Sequence, residues 1–325
     1  MSKILAIGDP HFKINNLADI DTYIQNVCDI IKREGIDLVI ILGDLLHTHE
    51  KVHSLVLNKA YDFIRCTRDL ARTVVLVGNH DYINNSQFLS ENHWMNAMKE
   101  WSNVDIVDKG LVIDAAVGKI VLCPYVAPGR FEEALDIIDP DWKNAAYIFA
   151  HQEMYGCKMG AIISADGDKW ETDYPMLVCG HIHNKQTLQP NLFYTGSSIQ
   201  HAFGESHDKT VSIFGNLDQE RIDLSLNMKG KRIIATHLDS IDCLKLPQTN
   251  DDLRLNIAGT ADDFKTFKKT STYKDLKDSN IKIVFKPDKV ETNTIQVTWN
   301  SFYDAIQSKA NENPEVKLVY DQHIK

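Results

Sequence analysis

Five short apolar runs set the pattern of the first half of the chain. Ile, Val and Leu fill each run without alternating with polar residues, which is typical of strands that are covered on both faces. Each run ends in a cluster of Asp, His or Asn. The runs cover residues 3–9, 37–44, 73–81, 145–152 and 175–183. We therefore predict five buried strands whose carboxyl ends all carry polar side chains.

The segments between the first three runs show a helical pattern. Apolar residues recur there every three to four positions, which places them on one face of a helix. The positions are Ile20, Ile24, Val27 and Ile31 in the first segment, and Leu55, Ala60, Phe63, Ile64 and Leu70 in the second. The order β-α-β-α-β predicts a layered α/β domain.

The pattern changes from about residue 187. Shorter strands with polar interruptions predict a second, more antiparallel sheet that packs on the first. Over 231–287, a strand, a lysine-rich helix with Thr260 as its N-cap and another strand predict a small α/β domain. Residues 288–325 predict two helices separated by an Asn-Pro step. The predicted organisation is a main domain over 1–230, the small α/β domain and a helical tail.

The composition is that of an ordinary globular protein, with 43% hydrophobic and 25% charged residues among 325. No run approaches the roughly 18 apolar residues of a membrane helix, and no secretory signal is visible. We therefore expect a soluble protein of the cytoplasm, or of the host cytoplasm if a phage encodes it, without a membrane partner. The net charge of −10 is unlike that of a free-standing nucleic-acid binder, which is usually basic. The six scattered cysteines predict small core residues rather than disulfides or a zinc site.

The polar clusters at the strand ends contain seven candidate metal ligands. Ligands of open α/β sheets bind beyond the carboxyl ends of the strands, so the five clusters can meet at one site. The candidates are Asp9, His11, Asp44, Asn79, His151, His181 and His183. Taken singly, each has an ordinary interpretation, such as a turn aspartate, a surface histidine, a loop-capping asparagine or a buried histidine. Those interpretations do not predict the shared position at strand ends.

The order of the clusters, D-x-H, G-D, G-N-H-D, H and G-H-x-H, resembles the calcineurin-like metallophosphoesterases. The resemblance implies a layered β-sandwich flanked by helices, with a centre of two divalent ions that Asp44 bridges. One ion would take Asp9, His11 and His183, and the other Asn79, His151 and His181. Imidazole-rich mixed sites favour manganese, iron or zinc over magnesium, and we expect manganese first.

Two residues that follow Asn79 are implied by the same resemblance to act on the substrate. His80 would face the phosphate and stabilise the developing charge or protonate the leaving oxygen, with Asp81 orienting its imidazole. The ions would lower the pKa of a bridging water, and the resulting hydroxide would attack phosphorus in line.

His47 indicates which branch of the superfamily the chain resembles. It lies three residues after Asp44. Serine/threonine protein phosphatases carry an arginine soon after the corresponding aspartate, but the first arginine after Asp44 in this chain is Arg65. The motif G-D-L-L-H resembles the SbcD-type nuclease subunit of double-strand-break repair complexes and its phage relatives, in which this histidine helps to position the phosphodiester. Residues 193–206 and 253–287 resemble the glycine-serine loop and the DNA-capping domain of the same family. The alternative for His47 is a surface-loop histidine.

This resemblance implies a manganese-dependent DNA nuclease subunit in repair, recombination or replication. The expected activities are 3′-to-5′ exonuclease action on duplex ends and endonuclease action on single strands. The expected partners are DNA, an SMC-like coiled-coil ATPase (SbcC-like) and a second copy of the chain. Two alternatives remain open: a phosphatase or cyclic-nucleotide phosphodiesterase for small molecules, and a non-catalytic scaffold, against which the complete ligand set argues.

Two groups of residues fit these partners. Aromatic and aliphatic residues at helical spacing near the C terminus could dock on the ATPase or pack on the capping domain. These residues are Trp299, Phe302, Tyr303 and Ile306. Lysines of the predicted capping helix fit DNA contact or a solvated face. They are Lys265, Lys268, Lys269, Lys274 and Lys277, of which all but Lys268 could share one helix face.

Overall fold

The computed structural model describes residues 3–49, 51–215, 220–279, 281–288, 299–312 and 314–323. Contacts between Cα atoms divide the chain into two units. The first consists of Met1–Ile234 with Leu246–Arg254, and the second of Ala235–Lys245 with Leu255–Lys325. Within the described ranges, no helix has both the length and the apolar content that a membrane span requires.

The first unit combines two large sheets with helices. Its strands are β1 (Ile4–Ile7), β2 (Leu38–Ile41), β3 (Arg72–Leu76), β4 (Val104–Val107), β5 (Leu111–Ala115), β6 (Gly118–Cys123), β7 (Tyr147–His151), β8 (Lys158–Met159), β9 (Ile162–Ile163), β10 (Met176–Gly180), β11 (Gln186–Gln189), β12 (Leu192–Tyr194), β13 (Thr210–Phe214) and β14 (Ile222–Ser225). Its α-helices are α1 (Leu17–Glu34), α2 (Ser54–Arg68) and α3 (Phe131–Ile138). The five predicted strands correspond to β1, β2, β3, β7 and β10.

Each large sheet has a parallel centre. The first has the order β14-β13-β1-β2-β3-β4, in which β1 to β4 are parallel and β13 is antiparallel to β1. The second has the order β11-β12-β10-β7-β6-β5, in which β12, β10, β7 and β6 are parallel. Strands β8 and β9 form a separate hairpin. The five predicted strands therefore divide between two sheets.

The prediction of which strands form the second sheet was wrong. We expected the strands after residue 187 to form a second, more antiparallel sheet that packs on the first. Instead β13 and β14 extend the first sheet, because Ile4 of β1 pairs with Phe214 of β13. Strand β12 joins the second sheet, where it runs parallel to β10.

Alternation along the strands builds three layers of core. In β1, Ile4 and Ala6 pack between the two sheets, while Leu5 and Ile7 pack under α1 and α2. On the outer face of the second sheet, α3 covers the strands, and Phe131 is fully buried there. Each fully buried side chain of this kind contributes roughly 1.5–3 kcal/mol. The result is a β-sandwich with helices on both outer faces, so the predicted fold class is confirmed.

The two helices on the first sheet follow the predicted pattern with one exception. Helix α1 buries Ile20, Val27 and Ile31, and it ends at Gly35, whose φ of 65° is the left-handed cap that glycine favours. Leu55 in the first turn of α2 is 54% exposed, although the apolar pattern placed it on the buried face.

Three of the cysteines differ from the prediction, and one of them, Cys243, is exposed rather than in the core. Cys28 of α1 and Cys66 of α2 are joined as a disulfide, so the expectation of thiols only was wrong for this pair. Cys123, Cys157 and Cys179 are free and buried, as predicted for small core residues.

The second unit includes most of a three-stranded sheet together with helices. Its elements are β15 (Lys231–His237), β16 (Asp252–Gly259), β17 (Lys282–Pro287), α4 (Ala261–Phe267), α5 (Ser271–Asp278), α6 (Trp299–Asn311) and α7 (Pro314–His323), with the strands in the order β15-β16-β17. The two tail helices are present as predicted. The side chains of Trp299, Phe302 and Tyr303 lie outside the part of the chain that the structure describes.

The predicted capping helix is two helices. Thr260 caps α4 by accepting a hydrogen bond from the backbone of Asp263, as expected. Thr270 then accepts one from the backbone of Tyr273 and starts α5, so the chain turns between them. The exposed lysines are split by this turn and do not share one helix face.

Candidate metal centre

The seven predicted ligands come together at the carboxyl ends of the parallel strands of both sheets. Asp9, Asp44 and Asn79 follow strands of the first sheet, whereas His151 ends β7 and the two histidines of G-H-I-H follow β10. Hydrogen bonds tie the two sheets together here. The backbone N–H of His181 donates to Asp9 Oδ1 (2.9 Å), and His151 Nδ1–H donates to the carbonyl of Leu42 (2.6 Å).

The backbone at the centre is strained. Asp9, His11, Asp44 and His181 all have positive φ, from 42° to 78°, which non-glycine residues rarely adopt. Such a conformation costs on the order of 1–3 kcal/mol per residue and is typical of functional sites. The glycine of the G-N-H motif has a different role: a Cβ on Gly78 would lie 2.3 Å from Asp44 Oδ1, so only glycine permits this approach.

One group of ligands consists of Asp9, His11 and His183. Their ligand atoms lie within 4.8 Å of one another. The Nε2 atoms of His11 and His183 are 3.0 Å apart. Asp9 Oδ2 is buried, and no hydrogen-bond partner for it lies in the described part of the chain. A cation between these atoms satisfies the orphaned oxygen and both nitrogens, so the group fits a metal ion. We call it the first ligand group.

The other group consists of Asp44, His151 and His181, also within 4.8 Å of one another. Asn79 completes it, because its Oδ1 lies 3.0 Å from both His151 Nε2 and His181 Nδ1. We call these four residues the second ligand group. Asp44 Oδ2 is 3.4 Å from His151 Nε2 and 3.5 Å from His11 Nε2. The carboxylate therefore stands between the two groups, where a bridging ligand is needed.

The electrostatics favour the metal-binding forms of His11, His181 and Asp44, whereas without an ion they favour the protonated form of His151. Burial lowers the pKa of His11, and burial with the charge of His151 lowers that of His181 to about 3. Burial opposes ionisation of Asp44, but His151 outweighs it and holds the pKa of Asp44 well below its usual range. Burial also opposes the charge on His151, yet Asp44 and then Asp9 raise its pKa to about 9. Neutral imidazoles and an ionised carboxylate are the metal-binding states.

His80 lies beside the second ligand group and contacts its Asp44 through the backbone rather than through the imidazole ring. Its N–H donates to Asp44 Oδ1 (2.8 Å), and its Nδ1–H donates to the carbonyl of His47 (2.8 Å). Its ring stacks against those of His47 and His49, with centroids 5.6 and 4.6 Å away. The Nε2 atom takes part in neither of these two hydrogen bonds, and His80 also forms a group with His11 and His47 that could hold a metal ion. His47 also approaches the ligands, with Nδ1 3.4 Å from Nδ1 of His11.

The orienting role predicted for Asp81 needs correction. Its carboxylate accepts hydrogen bonds from Trp94 Nε1 (3.0 Å) and from the backbone of Gly78 (3.1 Å). It also accepts from Leu45 and Leu46. The ring of His80 is held instead by a carbonyl, as described above. Asp81 thus fixes the paths of the loops that carry Asp44 and Asn79, and burial followed by the charge of Asp44 raises its pKa to about 7.

Three residues at the centre were missed in the sequence. His49 stacks on His80, and His201 Nε2–H donates to the carbonyl of Asp9 (2.8 Å). Glu205 lies 3.4 Å from Nδ1 of His183 and accepts a hydrogen bond from the backbone of His201. The segment 193–206 showed a family resemblance that included His201 and Glu205, but no pattern assigned them a role. By contrast, His93, a further histidine, is buried against Asp108.

Comparison with known proteins identifies the family to which the chain belongs. The sequence model described as calcineurin-like phosphoesterase matches residues 2–185, which include all seven ligands. The chain belongs to this family. Its members normally bind two divalent ions, and the two ligand groups fit such a pair.

Individual relatives of this calcineurin-like phosphoesterase come from viruses. Two proteins named "Putative phosphoesterase" are similar to it. Protein 244L of Invertebrate iridescent virus 6 is 47% identical over 275 residues, 82% of this chain and 97% of that one. Protein 078R of Invertebrate iridescent virus 3 is 44% identical over 290 residues, 87% and 84% of the two chains. Among solved structures, purple acid phosphatase PPD1 from yellow lupin (Lupinus luteus) seeds has a TM-score of 0.44 at 12% identity, covering 65% of this chain and 48% of that one.

Proposed function

We propose that this phosphoesterase is a metal-dependent nuclease that cleaves phosphodiester bonds in DNA. The observation that carries the proposal is a pair of separate recesses, one that opens onto the centre and one that lies beside it. One, of about 890 Å³, has His181 and His183 in its wall. The other, of about 540 Å³, is lined by His49, whose ring stacks on His80. A phosphodiester carries two organic groups and a phosphomonoester one, so two recesses suit a diester.

The residues that face a bound phosphate support the same proposal. They are imidazoles, His47 and His80, rather than the arginine that protein phosphatases carry soon after the bridging aspartate. No arginine occurs between Asp44 and Arg65. Imidazole suits a singly charged diester, whereas a doubly charged monoester gains more from a bidentate guanidinium.

The ligands and the histidines divide the chemical work. Two divalent ions, when bound, supply a deprotonated water and polarise the phosphate oxygens. Asp44, which lies between the two ligand groups, would be a ligand to both ions. His80 presents Nε2 to carry a proton to the leaving oxygen, and its Nδ1–H bond to the carbonyl of His47 stabilises the protonated ring. His47 lies next to it to position the diester.

A phosphatase acting on small phosphomonoesters is the second candidate. The larger recess favours it, because about 890 Å³ lies in the range of small-molecule sites and opens directly onto His181 and His183. The relatives' names, which specify only a phosphoesterase, are equally compatible with both candidates.

One comparison of substrates separates the two candidates. The purified chain with Mn²⁺ is given bis-p-nitrophenyl phosphate, p-nitrophenyl phosphate and end-labelled DNA, with Asp44→Asn as the inactive control. We expect cleavage of the diester and of DNA, with the monoester the poorer substrate. Hydrolysis of the monoester alone would exclude the nuclease.

We also propose that a second copy of the chain and an SMC-like ATPase supply part of the contacts that bind DNA. The net charge of −10 gives the chain little long-range attraction to DNA, although the lysines of α4 and α5 are exposed. The isolated chain is therefore expected to bind duplex DNA with a Kd of about 10⁻⁶ M or weaker at physiological salt, the range of non-specific binding. Nanomolar, salt-resistant binding in a filter-binding assay would refute this part.

A further inference from the structure

The larger recess extends from the metal ligands to the β8–β9 hairpin. We call it the hairpin recess, and its wall includes Lys158 and Met159 of the hairpin, His183 of the centre, and Phe203 and Glu205 of the segment that follows β12. Because a metal ligand forms part of this wall, a molecule whose phosphate lies on the ions reaches the recess with its next chemical group.

The apolar residues of the hairpin recess are held in place. Met159 is half-buried and packs against the core cluster of the second sheet. Phe203 is half-buried, and the guanidinium of Arg254 lies 5.0 Å from the centre of its ring, a cation–π contact. At the hairpin itself, Ile162 and Ile163 are 65% and 62% exposed. The recess thus offers ordered apolar surface next to a phosphate-binding centre.

The charges in the recess are few and mostly engaged. Glu205 lies 3.3 Å from Lys209 Nζ and also accepts the backbone N–H of His201 (2.9 Å). Lys158 is exposed at the hairpin. A second phosphate would find one exposed cation, Lys158, whereas the side chains of Met159, Ile182 and Phe203 offer it no polar group. A flat, uncharged ring would find both apolar contact and the amide of Asn184 for its polar edge.

We propose that the hairpin recess binds the base of the nucleotide next to the scissile phosphate, by stacking on Phe203 and packing against Met159. The proposal rests on the proposed nuclease function and names the part of the substrate that this side of the centre recognises. Stacking of this kind tolerates any base, because every base has a π-face. It therefore predicts preference for a nucleotide over a diester without a base, with little preference between bases.

Two esters with the same leaving group test this. The p-nitrophenyl ester of thymidine 5′-monophosphate carries a base, and methyl p-nitrophenyl phosphate does not. With Mn²⁺, the wild-type chain should favour the nucleotide ester in kcat/KM by about tenfold or more, the effect of one stacked base. Phe203→Ala should lower this ratio to near one, and Phe203→Trp should restore it. Tyr155→Ala is the matched control, because Tyr155 is an exposed aromatic residue near the hairpin that does not line the recess.

The outcomes distinguish failure of the base site from failure of the nuclease function on which it rests. If the wild-type chain hydrolyses both esters with equal kcat/KM, the base site is refuted while the phosphodiesterase stands. If Phe203→Ala loses both activities in proportion, the ring has a structural role and the base site is also refuted. If neither ester is hydrolysed while p-nitrophenyl phosphate is, the nuclease function itself fails, and the base site fails with it.

Discussion

The two ligand groups of the metal centre are held in different ways. In the second group, His151 is fully buried, and its Nδ1–H is fixed on the carbonyl of Leu42, so Nε2 is turned to the metal position by the fold itself. In the first group, the side chain of His183 is 32% exposed, and its Nδ1 lies 3.4 Å from Glu205. His151 is thus held by the fold itself, whereas His183 comes from a later loop and is partly exposed, although Asp9 and His11 of the first group are as buried as Asp44.

The largest effect is expected where the two groups join. Asp44→Asn weakens the one carboxylate that stands between both metal positions, so it should abolish phosphodiester cleavage. Activity on bis-p-nitrophenyl phosphate and metal content by atomic emission measure this, with circular dichroism to check the fold. Asp105→Asn, which removes a surface partner of Arg72, is the control. Near-normal turnover by Asp44→Asn would overturn the two-metal assignment.

Removing one histidine from each group should separate metal binding from stability. His151→Ala leaves the buried Leu42 carbonyl and two buried aspartates without their partner, and we expect a loss of about 2–4 kcal/mol in the free energy of unfolding without metal. His183→Ala removes a partly exposed side chain and should change it by no more than about 0.5 kcal/mol. Urea unfolding in chelator measures both. Equal losses would show that the two groups do not differ as described.

His80 belongs to neither group, and its replacement should sharpen the contrast. His80→Ser keeps the backbone N–H that donates to Asp44, so both ions should remain bound. Turnover should fall by about 10²-fold, as for the loss of a general acid. Metal content and kcat, measured on one sample, test this together. Loss of one metal equivalent would identify His80 as a ligand.

The smallest effect is expected at Glu205, the partner of the first group. Glu205→Gln keeps the size of the side chain but weakens its hold on Nδ1 of His183. We expect the weaker of the two metal affinities to drop by about tenfold and the stronger to stay, as is usual for residues behind a ligand. Calorimetric titration with Mn²⁺ resolves the two. Asp208→Asn, at an exposed carboxylate paired with Lys185, should leave both affinities unchanged.

The convergence of the seven candidate ligands was predictable because each lies where an apolar strand ends. Strand ends can be located from composition, and parallel strands bring their carboxyl ends to one edge. The environment of each ligand was not predictable in this way. Asp81 follows His80 directly, yet it binds loop backbone and Trp94, because the side-chain direction depends on the path of the turn. The partnership of Glu205 with His183 joins residues 22 apart in sequence, and no local spacing encodes it.

The fold shows the same limit. The runs that became β1 and β10 look alike in sequence, so composition did not separate the two sheets, and only pairing with β13 and β12 does. The lysine-rich helix was predicted as continuous, since threonine is compatible with a helix interior. In the structure, Thr270 caps a new helix instead.

The most direct test of the account is a crystal of the chain grown with Mn²⁺ and measured at an anomalous wavelength. We expect two anomalous peaks about 3.5–4 Å apart, with Asp44 bound to both. One peak should lie among Asp9, His11 and His183, and the other among Asn79, His151 and His181. A single peak, or a pair that Asp44 does not bridge, would contradict the two-metal centre on which the proposed function rests.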